Sequence, residues 1–223
     1  MPQRRLSLLV SLALFSAGPL PAGSQAIPAV QLPAARASAA TAAAAPEGRA
    51  TTTPSARPMQ ASAAAGSPYA LSPHRRALLD TIRFAEGTWH HGRSEGYRTL
   101  YGGGLFHNLA RHPEITVRRR YTSAAAGAYQ FLPGTWREVA SRLRLTSFEP
   151  HNQDQAALHL IERRGALNLL DRGGISRELV ARLAPEWASL PTHSGGSHYG
   201  QPVKSYAELS SFYSAALRRH SEG

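Results

Sequence analysis

The stretch that decides the fold of this chain is Ser72-Pro73-His74-Arg75-Arg76-Ala77-Leu78-Leu79-Asp80-Thr81-Ile82-Arg83-Phe84-Ala85-Glu86-Gly87. Ser followed by Pro is typical of the N-cap and first position of a helix, and Gly is typical of the residue after a helix end. The helical period places Leu79, Ile82 and Glu86 on one face. The pattern therefore predicts a helix that runs to about Glu86 and carries a carboxyl group on its apolar face.

The position of Glu86 makes its carboxyl group a candidate for catalysis. An ionised carboxylate is costly to bury, and desolvation raises the pKa of such a group. A Glu that is protonated near neutral pH is suited to donate a proton to the oxygen of a glycosidic bond. A surface Glu at a frayed helix end is the plainer alternative, and the helix pattern alone does not decide between the two.

Residues 1–26 have the layout of a secretory signal peptide. A short basic segment precedes an apolar run from Leu6 to Phe15, and small residues follow as far as a predicted cleavage site after Ala26. The apolar run is shorter than the roughly 20 residues that span a bilayer, although an uncleaved N-terminal anchor is the alternative interpretation. We therefore expect an exported protein, periplasmic or extracellular, with no stable membrane insertion after cleavage.

The rest of the chain divides into a linker and one domain. Residues 27–67 are rich in Ala, Pro, Thr and Ser, and they have too little apolar surface to offset the entropy of folding, so we predict a disordered linker. Residues 68–223 are enough for one domain. This part contains 20 basic and 13 acidic residues, a net charge of +7. Such a charge favours anionic polymers or surfaces as partners.

The pattern within residues 68–223 is mostly helical. Helices are predicted from Pro133, from a candidate cap at Asn152, over 175–183 and at the C-terminus from about Tyr206. A strand is predicted over 116–121, and the Gly-rich segment 96–106 adds to a small β-region. The predicted fold class is α+β, with a small β-lobe beside the helices and a cleft between them.

Aromatic residues near glycines are candidates for sugar binding. Aromatic faces stack on the apolar sides of sugar rings, and Tyr hydroxyl groups hydrogen-bond to their edges. The amide side chains of Gln130 and Gln201 lie close in sequence to Tyr129 and Tyr199, and Tyr101 lies beside a run of glycines. Packing in the core is the alternative for each aromatic residue, and we favour it for Trp136, which has helical spacing.

Several kinds of chemistry lack their motifs in this sequence. The histidines do not form an H-E-x-x-H zinc motif. The chain has no Cys and no G-x-S-x-G nucleophile elbow. The Gly102–Gly104 run lacks the Lys and Ser/Thr of a phosphate loop, so it predicts a hairpin turn or a close approach to a ligand. We therefore expect no metal and no cofactor.

A series of short motifs occurs in one order over about residues 73–217. These motifs are Ala85-Glu86-Gly87-Thr88, Gly96-Tyr97, Gly102-Gly103-Gly104-Leu105-Phe106, His112-Pro113, Gly127-Ala128-Tyr129-Gln130, Asn152-Gln153-Asp154-Gln155-Ala156-Ala157-Leu158, Arg164-Gly165-Ala166-Leu167, Trp187-Ala188-Ser189-Leu190-Pro191 and Tyr199-Gly200-Gln201. With these motifs in this order, the chain resembles the phage lambda endolysin family of lysozyme-like, murein-cleaving enzymes. The export signal and the linker are departures from the phage pattern and favour a cell-envelope enzyme.

The resemblance implies a lysozyme-like fold and lytic transglycosylase activity on peptidoglycan strands, with Glu86 as the catalytic acid. It makes Tyr129 and Gln130 candidates for the sugar cleft, and it makes Tyr199 and Gln201, in the family's late Tyr-Gly-Gln segment, further candidates. A hydrolytic muramidase, a wall-binding module without turnover and a nucleic-acid binder are the alternatives, and Glu95, Glu114 and Asp154 are candidates for the second acid of a muramidase. We expect a monomer that does not bind nucleic acid.

Overall fold

A computed structural model of the chain describes residues 67–222. Almost the whole of the predicted linker and all of the predicted signal peptide lie outside these residues, so both remain predictions. The described part of the chain forms six α-helices and a small two-stranded antiparallel sheet. The α+β prediction, mostly helical with a small β-lobe, is therefore confirmed.

The elements follow one another in a simple order along the chain. Two 3₁₀ turns, a hairpin and a run of five helices follow the first helix. Their bounds are α1 Pro73–Ala85, 3₁₀ turns His90–Gly92 and Ser94–Arg98, β1 Val117–Arg118, β2 Thr122–Ser123, α2 Pro133–Leu143, α3 Pro150–Arg163, α4 Leu167–Gly173, α5 Arg177–Leu183 and α6 Tyr206–Ser221.

Helix α1 begins as its sequence predicts and forms the centre of the helical part. The side chain of Ser72 accepts a hydrogen bond from the backbone N–H of Arg75, and Pro73 occupies the first helical position. Leu79 and Ile82 on its apolar face are buried. α1 packs against α6, whose own capping box is formed by Ser205 and Glu208.

Helix α3 begins earlier than its sequence indicated. We expected Asn152 to cap it, but the helix starts at Pro150, and its N-cap residue Glu149 makes no side-chain cap bond. The fixed φ of Pro150 suits the first helical position, so no polar cap is required there. The Asn152 amide instead donates to the backbone oxygen of Ser147. The sequence patterns also missed the seven-residue helix α4.

The β-lobe consists of a short two-stranded hairpin and a glycine-rich turn. The predicted strand over 116–121 is a hairpin instead, in which Val117 pairs with Ser123 and Arg118 with Thr122. The prediction of a hairpin turn at the three-glycine run is confirmed, because Thr99 bridges Leu105 on either side of it. Gly102 and Gly103 both have positive φ angles, which glycine adopts at low cost.

Candidate active site

Glu86 is the residue on which α1 ends. It is the C-cap, its backbone N–H donates to the oxygen of Ile82 at 2.9 Å, and Gly87 then turns the chain away with a φ of +75°. The Glu86 side chain is half-buried, because it follows Leu79 and Ile82 on the apolar face of the helix. The predicted placement of a carboxyl group at the edge of the core is therefore confirmed.

Burial raises the pKa of the Glu86 carboxyl group above its usual value. Desolvation raises its pKa to about 7, and hydrogen bonding from Ser189 opposes this rise without cancelling it. The Ser189 hydroxyl donates to Oε1 of Glu86 over 2.6 Å. Glu86 therefore exchanges between its acid and its carboxylate near neutral pH, which is suited to a group that first donates and then accepts a proton.

Three segments that are distant in sequence meet around Glu86. The Thr88 hydroxyl donates to the backbone oxygen of Ala128 over 2.5 Å, which ties the end of α1 to the 127–130 loop. The Trp187 indole N–H donates to the backbone oxygen of Tyr129 over 3.1 Å, which ties the 187–189 segment to the same loop. Ser189 completes the arrangement through its bond to Glu86. These contacts fix the carboxyl group relative to both loops.

Gln153 on α3 anchors the 127–130 loop through a hydrogen bond. Its side chain is fully buried, its Oε1 accepts from the Ala128 N–H at 2.8 Å, and its Nε2 donates to the oxygens of Tyr97 and Phe148. Gly127 has a φ of +80°, and a Cβ at this position would collide with the Gln153 amide and the Phe148 ring. The first residue of the Gly-Ala-Tyr-Gln motif is thus required by close packing.

Tyr129 does not lie where a sugar would contact its ring. Only 1% of the residue is exposed, and its hydroxyl donates to Oδ1 of Asp154 over 2.6 Å. The ring therefore offers no free face for stacking, and we revise its role from sugar contact to support of the loop that receives Trp187. The neighbouring Gln130 is half-buried with a φ of +48°, and its amide donates to the oxygens of Thr99 and Gly127.

The other predicted sugar-binding residues are more open. Tyr101 is half-buried in the β-lobe, where its N–H donates to the oxygen of Ala125. Tyr199 is 52% exposed and its hydroxyl donates to the oxygen of Pro185. Gln201 is exposed, and its backbone N–H donates to the Ser197 hydroxyl. Their assignment to the substrate site stays a prediction.

The three carboxyl groups considered as a second acid are engaged elsewhere. Glu95 pairs with Arg93 at 3.4 Å. Glu114 pairs with Arg137 at 2.5 Å. Asp154 accepts hydrogen bonds from two tyrosine hydroxyls, and burial raises its pKa. None of them contributes to the raised pKa of Glu86, which arises from burial alone.

Two cavities lie away from the Glu86 carboxyl group. One of about 240 Å³ runs beside α1 and is lined by the buried ionic residues Asp80 and Arg83. The other, of about 230 Å³, lies between α5 and the start of α6. Glu86 lines neither of these two cavities.

The sequence patterns did not single out Ser189, whose hydroxyl hydrogen-bonds to the Glu86 carboxyl group. We expect Ser189→Ala to remove a hydrogen bond that stabilises the Glu86 carboxylate, so the pKa of Glu86 should rise further. The alkaline limb of the pH–rate profile for wall lysis should then move to higher pH, with a loss of about 10-fold in rate from poorer positioning. A turbidity assay on purified cell walls from pH 5 to 9 measures both effects. An unchanged limb would contradict this role for Ser189.

The signals for the supporting residues are non-local. Ser189, Trp187 and Gln153 stand in loops or helices with no local mark of their function, and Ser189 is 103 residues from Glu86. Only their presence within the ordered motifs of residues 73–217 pointed to them.

Among residues 67–222, no group of three His, Cys, Asp or Glu side chains is arranged to hold a metal ion. No helix in that range has the length and apolarity needed to cross a bilayer.

The chain is similar in sequence to known proteins. The Endolysin family model matches residues 76–219. The chain is 39% identical over 132 residues to the endolysin of Escherichia phage lambda, across 57% of this chain and 80% of that protein. It is 34% identical over 147 residues to the endolysin of Escherichia phage P2, across 60% of this chain and 86% of that protein.

Solved structures give the same result for the fold. The structure is similar to bacteriophage lambda lysozyme complexed with a chitohexasaccharide, with a TM-score of 0.60, 36% identity and coverage of 66% of this chain and 96% of that one. A second structure of lysozyme from bacteriophage lambda matches with a TM-score of 0.54, 31% identity and coverage of 69% and 96%. The fold is thus that of lambda lysozyme. With its motifs, its Glu86 site and these matches, the chain belongs to the endolysin family.

Proposed function

We propose that this protein is an exported lytic transglycosylase, which cleaves the β-1,4 bond between N-acetylmuramic acid and N-acetylglucosamine in peptidoglycan. Membership of the endolysin family supports the coarser function, a glycosidase that degrades peptidoglycan. The similar lambda lysozyme was solved with a chitohexasaccharide, which supports a glycan strand as the ligand. The observation that carries the finer proposal is the Glu86 carboxyl group, whose pKa of about 7 owes nothing to another carboxylate.

The chemistry requires one group that acts first as an acid and then as a base. Protonated Glu86 donates its proton to the glycosidic oxygen as the bond from that oxygen to the anomeric carbon breaks. The Glu86 carboxylate then accepts the proton of the C6 hydroxyl of the same muramic acid, and the C6 oxygen bonds to the anomeric carbon. Glu86 ends protonated, no water is consumed, and the product carries a 1,6-anhydro ring.

Hydrolysis would place a different demand on the site. A hydrolytic glycosidase usually needs a second carboxylate, about 5–9.5 Å from the first, to act as nucleophile or to activate water. Glu114 is held by Arg137 and Asp154 by two tyrosine hydroxyls, whereas Glu95 forms only a longer ion pair of 3.4 Å with Arg93. The side chain that hydrogen-bonds to Glu86 is that of Ser189. A serine hydroxyl is not a carboxylate, so it does not supply the second acid.

The substrate contacts are part of the same proposal. The amide nitrogen of Gln130 donates to the oxygens of Thr99 and Gly127, which leaves its side-chain oxygen as the acceptor proposed for a sugar hydroxyl. We propose that Tyr101, Tyr199 and Gln201 contact sugars farther along the strand. The net positive charge of residues 68–223 favours binding to an anionic wall polymer. We propose that the protein acts as a monomer in the periplasm or outside the cell.

Mass spectrometry of digested peptidoglycan tests the proposal. We expect soluble muropeptides that end in 1,6-anhydro-N-acetylmuramic acid and so contain one water fewer than hydrolytic products. Reducing N-acetylmuramic acid ends would contradict the proposal and identify a hydrolytic muramidase. Binding to insoluble peptidoglycan without release of soluble fragments would contradict any catalytic function. Mutanolysin, a hydrolytic muramidase, provides the control digest.

A further inference from the structure

The cavity between α5 and the start of α6, which we call the α5–α6 pocket, combines apolar and polar walls. Its volume is about 230 Å³. Its lining includes the apolar side chains of Val180, Pro191 and Ala207 and the polar side chains of Arg177, Thr192 and Ser205. Because drug-sized ligands occupy about 300–1,000 Å³, this volume suits one or two small residues of a peptide.

Arg177 brings a positive charge to the lining of the pocket. It is the first residue of α5 and is exposed. Its guanidinium carbon lies 4.6 Å from the centre of the Tyr206 ring, which also lines the pocket, so a cation–π contact holds the side chain there. Within residues 67–222, Arg177 takes part in no ion pair. Its charge is therefore available to a ligand.

The carboxylates that stand beside the pocket residues in sequence have partners of their own. Glu178 pairs with Arg182 at 2.7 Å. Glu208 accepts hydrogen bonds from the backbone N–H and the hydroxyl of Ser205, in the capping box of α6. The pocket thus presents a guanidinium beside an apolar wall, which favours a ligand with a carboxylate and small apolar groups.

A tight turn holds one wall of the pocket in place. Pro191 forms a bridge with Ser197. The N–H of Thr192 donates to the oxygen of Gly196 at 2.8 Å, and the Thr192 hydroxyl donates to the same oxygen at 3.0 Å. The wall is therefore formed before a ligand binds, which lowers the entropy cost of binding.

The pocket adjoins the segment that contacts Glu86. Ser189, which hydrogen-bonds to Glu86, is two residues before Pro191, so their Cα atoms are at most about 7 Å apart. The backbone oxygen of Ser189 also accepts from the N–H of Lys204 at 3.0 Å, directly before Ser205 of the pocket. A peptide of four residues extends over as much as about 14 Å. A peptide attached to a sugar beside Glu86 is therefore long enough to reach the pocket.

We propose that the α5–α6 pocket binds the peptide stem of peptidoglycan. The stem is attached to the lactyl group of N-acetylmuramic acid and contains alanine residues and free carboxylates. Arg177 pairs with a stem carboxylate, and the alanine methyl groups pack against the apolar wall. The inference rests on the proposed function, because it requires a muramic acid beside Glu86. It adds a preference for strands that keep their stems over bare glycan.

Binding of soluble glycan strands tests this preference in the full chain with Glu86 replaced by Gln, so that no strand is cleaved. An endopeptidase cuts the cross-links of purified peptidoglycan and releases strands that keep stems. An N-acetylmuramoyl-L-alanine amidase then removes the stems from half of the strands. Isothermal titration calorimetry measures the affinity for each kind of strand, and the result does not depend on turnover or on the type of product.

Three further substitutions, each added to Glu86→Gln, locate the binding. Arg177→Gln removes the charge. Ala207→Phe fills the pocket from an exposed position at the start of α6. Arg172→Gln is the charge-matched control, because Arg172 on α4 is also exposed but is not among the residues that line the pocket. Circular dichroism checks that each variant is folded.

We expect the stems to raise the affinity of the Glu86→Gln protein for strands by about tenfold, as one charge-assisted hydrogen bond with some apolar burial would do. Arg177→Gln and Ala207→Phe should each lower the affinity for stem-bearing strands by about fivefold. Neither should change the affinity for stem-free strands. Arg172→Gln should stay within about twofold of the Glu86→Gln protein on both kinds of strand.

Two outcomes would overturn the proposal. One is equal affinity for strands with and without stems. The other is a loss in Arg177→Gln that is as large on stem-free strands, because attraction to the sugar chain would then explain it. Reducing-end products in the digest of peptidoglycan would contradict the transglycosylase proposal and leave stem-dependent binding intact, so the two failures are distinguishable.

Discussion

Replacing Glu86 with Gln should abolish lysis of purified peptidoglycan, with a loss of at least about 10³-fold in rate. General acid–base catalysis contributes about 10²–10⁴-fold, and Glu86 is proposed to supply both the acid and the base. Gln preserves the shape of the side chain but can neither give nor take the proton. The release of soluble muropeptides, quantified by chromatography, measures the effect. Retained lysis would move the acid to another residue.

Glu95→Gln is the matched control for this result. Glu95 pairs with Arg93 at 3.4 Å, so under the one-acid proposal the variant should keep its rate within a few-fold. A loss as large as that of Glu86→Gln would indicate a second catalytic carboxylate and hence a hydrolytic mechanism. The two variants together therefore separate one-acid from two-acid chemistry.

The same Glu86→Gln variant should gain stability, and only at high pH. The folded state raises the pKa of Glu86 from 4.5 to about 7, so it binds this proton more tightly than the unfolded chain does. The stability linked to this proton is fully present below pH 4.5 and is lost as pH rises through about 7. Because Gln does not ionise, the variant should be roughly 1–3 kcal/mol more stable than the unmodified protein at pH 8.

Urea unfolding at two pH values measures this gain in stability. At pH 4 the two proteins should unfold at similar urea concentrations, because Glu86 is then protonated in both folded and unfolded chains. A variant that is no more stable at pH 8 would contradict the burial of the Glu86 carboxyl group. The comparison is valuable because it reports on that group without depending on any substrate.

Replacing Gln153 with Ala should cause the second large effect. The change leaves the buried N–H of Ala128 without an acceptor and removes the donor to the oxygens of Tyr97 and Phe148. Each buried group left unsatisfied costs about 1–3 kcal/mol, and the missing side chain leaves a cavity. We expect a loss of about 3–5 kcal/mol in the free energy of unfolding, measured by urea titration.

Gln155→Ala separates this structural cost from an effect on the site. Gln155 is also fully buried on α3, but its amide exchanges hydrogen bonds with the backbone of Tyr69, away from the 127–130 loop. Both variants should be destabilised. Under conditions where each is folded, only Gln153→Ala should lower the rate of lysis, because only Gln153 holds the loop beside Glu86. Equal rates would show that this loop does not support the site.

The sequence predicted the elements whose signals are local. The Ser72-Pro73 start of α1, its period and Gly87 at its end fixed the placement of Glu86, and the structure agrees. Trp136, at helical spacing on α2, is buried as its pattern indicated. Local patterns misled where proline took over a role usually filled by a polar cap, as at Pro150, and where a turn split the strand predicted over 116–121.

What the sequence by itself determined was the position of a carboxyl group at the end of an apolar helix face, since hydrophobic period and capping act over a few residues. Only the tertiary structure decided the environment of that group. Ser189 reaches Glu86 across 103 residues, and Tyr129 turns its hydroxyl to Asp154 in the core instead of to the surface. These contacts depend on how α1, α3 and the two loops pack together, and no local pattern of residues encodes that packing.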